Sequence, residues 1–146
     1  MKIALIAAAA LAMTLSVSGC SSDGDSAAAG SDSNESLPTG QAPVRVGVEE
    51  FANVIAEPGV VILDVRTPEE FASGHISGAI NIPVENADFI DQVSQLDPAV
   101  TYAVYCRSGN RSQPAVAGMQ SAGINGIVEL ESGTIGWADA GQPLVS

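Results

Sequence analysis

Short runs of valine, isoleucine, leucine and tyrosine alternate with helix-length segments from residue 44 to the C-terminus, and this alternation most limits the folds open to the chain. Strands are expected at 44–46, 60–65, 79–82, 101–105 and 127–130, where β-branched and aromatic side chains cluster between polar breaks. Helices are expected at 48–56, 67–73, 88–96, 112–121 and 134–140. The clearest local signal is Thr67-Pro68-Glu69-Glu70, which offers an N-cap hydroxyl, a proline at the first helical position and an acid three residues beyond the cap. Gly74 ends that helix. Near-continuous apolar strands separated by helices predict an α/β domain, a mostly parallel central sheet with helices on both faces. Ligands of such sheets collect outside the carboxyl ends of the strands. The run Tyr102-Ala103-Val104-Tyr105 delivers Cys106 to that edge.

Cys106 opens the loop Cys106-Arg107-Ser108-Gly109-Asn110-Arg111. The whole chain holds five Lys plus Arg, and two of them, Arg107 and Arg111, lie within this loop. An ordinary cysteine, with a pKa near 8.5, is only about 3% thiolate at pH 7, and the thiolate is the nucleophile. Two guanidiniums and several converging amides favour the anion; lowering the pKa by about two units requires roughly 2.7 kcal/mol of differential stabilisation. Gly109 can adopt positive φ, so the chain can curl and turn successive N–H groups inward as an anion nest. Ser112-Gln113-Pro114 reads as a helix start with Ser112 as N-cap. A cysteine at a strand end is otherwise a small, inert core residue. Here the polar, glycine-containing sequence that follows is poor core material, which favours a working thiol reachable from solvent.

The loop resembles that of rhodanese-type sulfurtransferases, in particular the single-domain kind. A second segment agrees, Leu63-Asp64-Val65-Arg66-Thr67-Pro68-Glu69-Glu70-Phe71 followed by Gly74-His75-Ile76-Ser77-Gly78-Ala79-Ile80-Asn81-Ile82-Pro83. The resemblance covers residues 44–146. It implies that Cys106 takes up a sulfane sulfur as a persulfide from a small donor such as thiosulfate or another persulfide, then passes it to a thiol, a protein acceptor or cyanide. Cys106 would be catalytic, and Arg107, Ser108, Gly109, Asn110 and Arg111, joined by Arg66, would bind substrate. No cofactor or metal is implied. The arginine follows the cysteine after four intervening residues. The related dual-specificity phosphatases and arsenate-reducing enzymes have one residue more, so phosphatase or arsenate-reductase chemistry is the lesser alternative. A sulfur carrier or binding module without turnover is the other.

The first residues, Met1-Lys2 and an apolar run from Ile3 to Val17 ending in Ser18-Gly19-Cys20, read as a secretory signal. The apolar run is short for a membrane span, which needs about 20 residues. Val17-Ser18-Gly19-Cys20 resembles a bacterial lipobox. The resemblance implies a signal peptide at 1–19, acylation of Cys20 with palmitate-type chains, and anchoring to the cell membrane outside the cytoplasm. Residues 20–43 are rich in Ser, Gly, Ala and Asp and read as a disordered linker. Residues 44–146 then form one domain. With Lys2 removed, four arginines face seventeen acids. That acidic balance, with no basic stripe, excludes nucleic acid as a partner.

Other polar residues read as structural. Asp64 is expected to fix the strand end, and Arg66 either joins it in an ion pair or reaches the pocket. His75, the only histidine, is expected to hold a turn. Trp137, Tyr102 and Tyr105 are expected to pack the core.

Overall fold

A computed structural model of the protein describes residues 42–146. The lipobox and Cys20, the signal at 1–19 and all but the end of the linker at 20–43 lie outside the described residues. The element order is β1 (Val44–Val46), α1 (Val48–Ile55), β2 (Val61–Asp64), α2 (Pro68–Ser73), β3 (Ile80–Asn81), α3 (Phe89–Val93), β4 (Tyr102–Tyr105), α4 (Ser112–Ser121), β5 (Ile127–Leu130) and α5 (Gly133–Asp139). Every expected strand and helix is present, with ends displaced by a residue or so except in α3, which is five residues long. The five strands form one sheet in the order β1-β5-β4-β2-β3. Each neighbouring pair runs parallel.

Alternation along β4 sorts the core into two halves, because successive side chains leave opposite faces of a strand. Tyr102, Val104 and Cys106 join Phe89 and Val93 of α3 and Ala115, Val116 and Met119 of α4. Ala103 and Tyr105 join Phe51 and Val54 of α1 and Trp137 of α5. On that second face the Phe51 ring meets Tyr105 and Trp137 edge-on, at 6.5 and 6.1 Å between centroids. Trp137 Nε1 also donates to the Pro143 carbonyl at 2.9 Å, tying the C-terminal segment to the core.

The expected capping box of α2 is formed in both directions: Glu70 N–H donates to the Thr67 hydroxyl, and Thr67 N–H donates to the Glu70 carboxylate. His75 holds a turn as expected. Its Nδ1 lies 3.0 Å from the Phe71 carbonyl, its ring stacks on Phe71, and its backbone pairs with Val145.

Asp64 and Arg66 form a buried ion pair at the end of β2, with Arg66 NH2 2.6 Å from Asp64 Oδ2. Arg66 Nε donates to both carboxylate oxygens, and NH2 also donates to the Gly74 carbonyl at 2.7 Å. The guanidinium sits 5.7 Å from the Tyr105 ring centroid. Of the two roles open to Arg66, the structure shows the ion pair. Its hydrogen bonds go to Asp64 and Gly74, and none goes to the cysteine loop. Arg66→Met would leave a fully buried carboxylate without its partner. The expected loss is about 3–5 kcal/mol, read from the urea midpoint. Sulfur uptake by the molecules that stay folded is expected to be unchanged, since Arg66 does not touch the loop.

Candidate active site

Cys106 follows the central strand β4, so the parallel neighbours β2 and β5 flank the point where the loop departs. Gly109 has φ +79°, the left-handed conformation its sequence position required. The turn brings the Gly109 N–H to 3.1 Å from Cys106 Sγ. Two further contacts hold the loop from outside: Thr134 and Ile135, at the start of α5, donate their N–H groups to the Cys106 and Arg107 carbonyls at 2.9 and 3.1 Å. Gln113 Nε2 donates to the Gly109 carbonyl at 3.1 Å from the opposite side.

Ser112 does not cap α4. The N-cap is Arg111, and Ser112 is the first residue of the helix. Its hydroxyl turns inward instead, 3.6 Å from Cys106 Sγ and 2.6 Å from Glu129 Oε1. Glu129, buried on β5, also receives Arg45 Nε at 3.1 Å. Neither Ser112's inward role nor Glu129 and Arg45 belongs to the expected site. The signal that could have found Glu129 is one charged residue inside the apolar run Ile127-Val128-Glu129-Leu130.

The thiol is held below its ordinary pKa. Burial pushes it up, but the Ser112 hydroxyl and the backbone N–H groups of Ser108, Ser112 and Arg111 together pull it down further. The expected shift is therefore present, and of the two causes expected, converging amides and guanidinium charge, hydrogen bonds lead. Arg107 is exposed and takes part in none of these contacts. Arg111 is held by Glu70 in a two-pronged pair, 2.7 Å on each prong, with Glu85 at 3.7 Å from the same guanidinium. Glu70 and Glu85 answer most of its charge, and Cys106 also interacts with it. Ser108 and Asn110 are exposed and bond to each other at 3.4 Å.

One expectation is overturned. Cys106 is only 1% exposed, not open to solvent. The reason is geometric: its side chain leaves β4 on the same face as Val104 and packs against α4, while the loop amides fold over the sulfur. Cys106, Gly109 and Ser112 are brought together, while Arg66 and the Arg107 side chain are not.

The Glu70–Arg111 pair makes a separate prediction. Arg111 hydrogen bonding is the largest cause that holds the Glu70 pKa down, to about 2. A carboxylate with a depressed folded-state pKa adds stability that is present above its unfolded value and lost as pH falls toward the folded one. Acidification from about pH 4.5 to 2 is expected to remove this contribution, about 1 kcal/mol for a pair this open to water. Comparing Glu70→Gln with the unaltered protein across that range isolates it: the variant should lose less stability on acidification.

Comparison with known proteins agrees with this geometry. The family model described as a rhodanese-like domain matches residues 47–140. The chain is 41% identical over 91 residues to thiosulfate sulfurtransferase 16, chloroplastic, of Arabidopsis thaliana, covering 56% of this chain and 76% of that protein. It is 34% identical over 105 residues to the uncharacterized protein slr1261 of Synechocystis sp., covering 72% of this chain but 58% of that longer protein. Among solved structures, a rhodanese-related protein from Thermoplasma volcanium superposes with a TM-score of 0.62 at 33% identity, over 70% of this chain and 97% of that one. With the sheet order, the cysteine loop and a match over most of the domain in agreement, the chain belongs to the rhodanese-like domain family.

Proposed function

We propose that the protein is a sulfurtransferase that moves a sulfane sulfur from a donor such as thiosulfate or a persulfide to a thiol or cyanide acceptor through a persulfide on Cys106. The observation that carries this reading is the curled loop that turns the Gly109 amide onto a thiol held below its ordinary pKa. The thiolate attacks the outer sulfur of the donor, and the donor's S–S bond breaks with its electron pair leaving on sulfite or on a thiolate. The persulfide anion takes the place of the thiolate among the same amides. An acceptor thiolate or cyanide then removes the outer sulfur and regenerates Cys106. The similarity to a named thiosulfate sulfurtransferase supports the same chemistry. The N-terminal signal and lipobox support export and anchoring at the cell membrane through acylated Cys20. Incorporation of labelled palmitate, lost in Cys20→Ala, tests that part.

Thiocyanate formation from thiosulfate and cyanide tests the activity. Sustained turnover that depends on Cys106 is the expected result. The near-complete burial of Cys106 favours one competing reading, a carrier that delivers its sulfur once, and a single stoichiometric transfer would select it. No transfer from any sulfane donor would remove both. Hydrolysis of an aryl phosphate dependent on Cys106 would restore the oxyanion alternative.

A further inference from the structure

The parallel register sets Arg45 beside Glu129 and Glu129 beside Val104, across β1, β5 and β4. Side chains in register share a face, and two residues beyond Val104, just past the end of β4, the same face carries Cys106. A chain of polar contacts therefore runs through an otherwise apolar layer: Cys106 Sγ to Ser112 Oγ at 3.6 Å, Ser112 Oγ to Glu129 Oε1 at 2.6 Å, and Glu129 Oε2 to Arg45 Nε at 3.1 Å. Cys106, Ser112 and Glu129 are 1%, 0% and 3% exposed, so bulk water does not compete for the bonds among these three. The directions are defined by the donors. The Ser112 hydroxyl hydrogen points to the carboxylate, which leaves its oxygen lone pairs to receive the thiol hydrogen.

We propose that Glu129 takes the Cys106 proton through the Ser112 hydroxyl, forming a buried Cys–Ser–Glu relay that Arg45 holds in place. The Sγ–H bond breaks as a new O–H bond forms at Ser112 Oγ, and the Ser112 proton moves to Glu129 Oε1. Charge is conserved, because a thiol with a carboxylate becomes a thiolate with a carboxylic acid, and no electron is transferred. The proton returns by the same route when the thiol is restored. Ser112 touches the reacting sulfur; Glu129 is a positioning residue that acts through it. The relay deepens the sulfur-transfer reading and rests on it only for what the thiolate then attacks. Other charged groups around Cys106 are Arg107 and Arg111 on its own loop, Glu70 and Glu85 paired with Arg111, and Arg45 paired with Glu129. Helix α4, packed against the sulfur, carries no titratable side chain.

The sign of one substitution separates the relay from simple electrostatics. A carboxylate acting only by its negative charge keeps a nearby thiol protonated, so Glu129→Gln would speed alkylation of Cys106. The relay predicts the reverse. Iodoacetamide alkylation of Cys106 in the full-length protein is followed by peptide mass spectrometry, which resolves it from Cys20. In Glu129→Gln alkylation should be about tenfold slower at pH 7, equivalent to about one unit in the thiol pKa. Ser112→Ala should do the same, and the double variant should lose no more than either single one. Ser112→Ala also supplies the answer should Glu129→Gln fail to fold. Unchanged or faster alkylation at pH 7 in the folded variants overturns the relay. Thiosulfate capture on the same wild-type sample keeps the two proposals apart. Capture with an alkylation rate indifferent to Ser112 and Glu129 overturns the relay alone, and alkylation slowed in both variants without capture overturns sulfur transfer alone.

Discussion

Gly109→Ala is expected to destroy sulfur uptake and to lower stability by about 3 kcal/mol. Two causes combine. Gly109 sits at φ +79°, where a side chain costs about 1–2 kcal/mol. A Cβ there would stand 1.8 Å from the Glu131 carbonyl oxygen, and backbone cannot swing aside as a long side chain can. Overpacking of this kind costs about 1–3 kcal/mol. The chain can relieve the clash only by uncurling the loop, which removes the Gly109 N–H from Cys106 Sγ. Chemical denaturation and thiosulfate uptake measured together check this: both should fall, and a variant with normal uptake would mean that the curled turn is not what prepares the sulfur. Gly133 is a second such contact, at φ +57°, where a Cβ would meet the Arg107 and Cys106 backbone at 2.4–2.6 Å. That close approach lets the start of α5 clamp the loop.

Cys106→Ser is expected to reduce sulfur transfer to the uncatalysed background while changing stability by no more than about 1 kcal/mol. The hydroxyl can keep the contacts with Ser112 and the Gly109 amide, but it is not ionised at neutral pH and forms no persulfide. Thiocyanate production and the urea midpoint of the same preparation separate chemistry from folding. Residual transfer in this variant would assign the sulfur to another group.

Much of this domain is legible along the chain because its elements are locally specified. The capping box at Thr67, the glycine at 109 and the strand leading to Cys106 each act through neighbours a few residues away, and each occurs as expected. Contacts between distant segments are not legible in that way. Arg111 and Glu70 are 41 residues apart, and Ser112 and Glu129 are 17 apart. Their meeting depends on the strand order, with β5 between β1 and β4, which the succession of strands and helices leaves open. The same gap hides two partners. The arginines near Cys106 in sequence look like its counter-charges; Arg111 does share a charge interaction with the thiol, but its hydrogen bonds go to Glu70, and Arg107 is exposed. Ser112 has the character of a cap, but a buried carboxylate and a thiol claim its hydroxyl. The burial of Cys106 follows from the parity of β4 together with the helix that covers that face, and only the assembled sheet reveals the second.

In the proposed function, one sulfur surrounded by hydrogen-bond donors accepts another sulfur atom. Mass spectrometry of the Cys106 peptide after exposure to thiosulfate or polysulfide, with free thiols blocked by alkylation, reads this step. A gain of one sulfur on Cys106, close to one per molecule and lost when an acceptor thiol is added, is the expected result. A Cys106 peptide that stays unmodified after every sulfane donor, in protein shown to be folded and reduced, would contradict it.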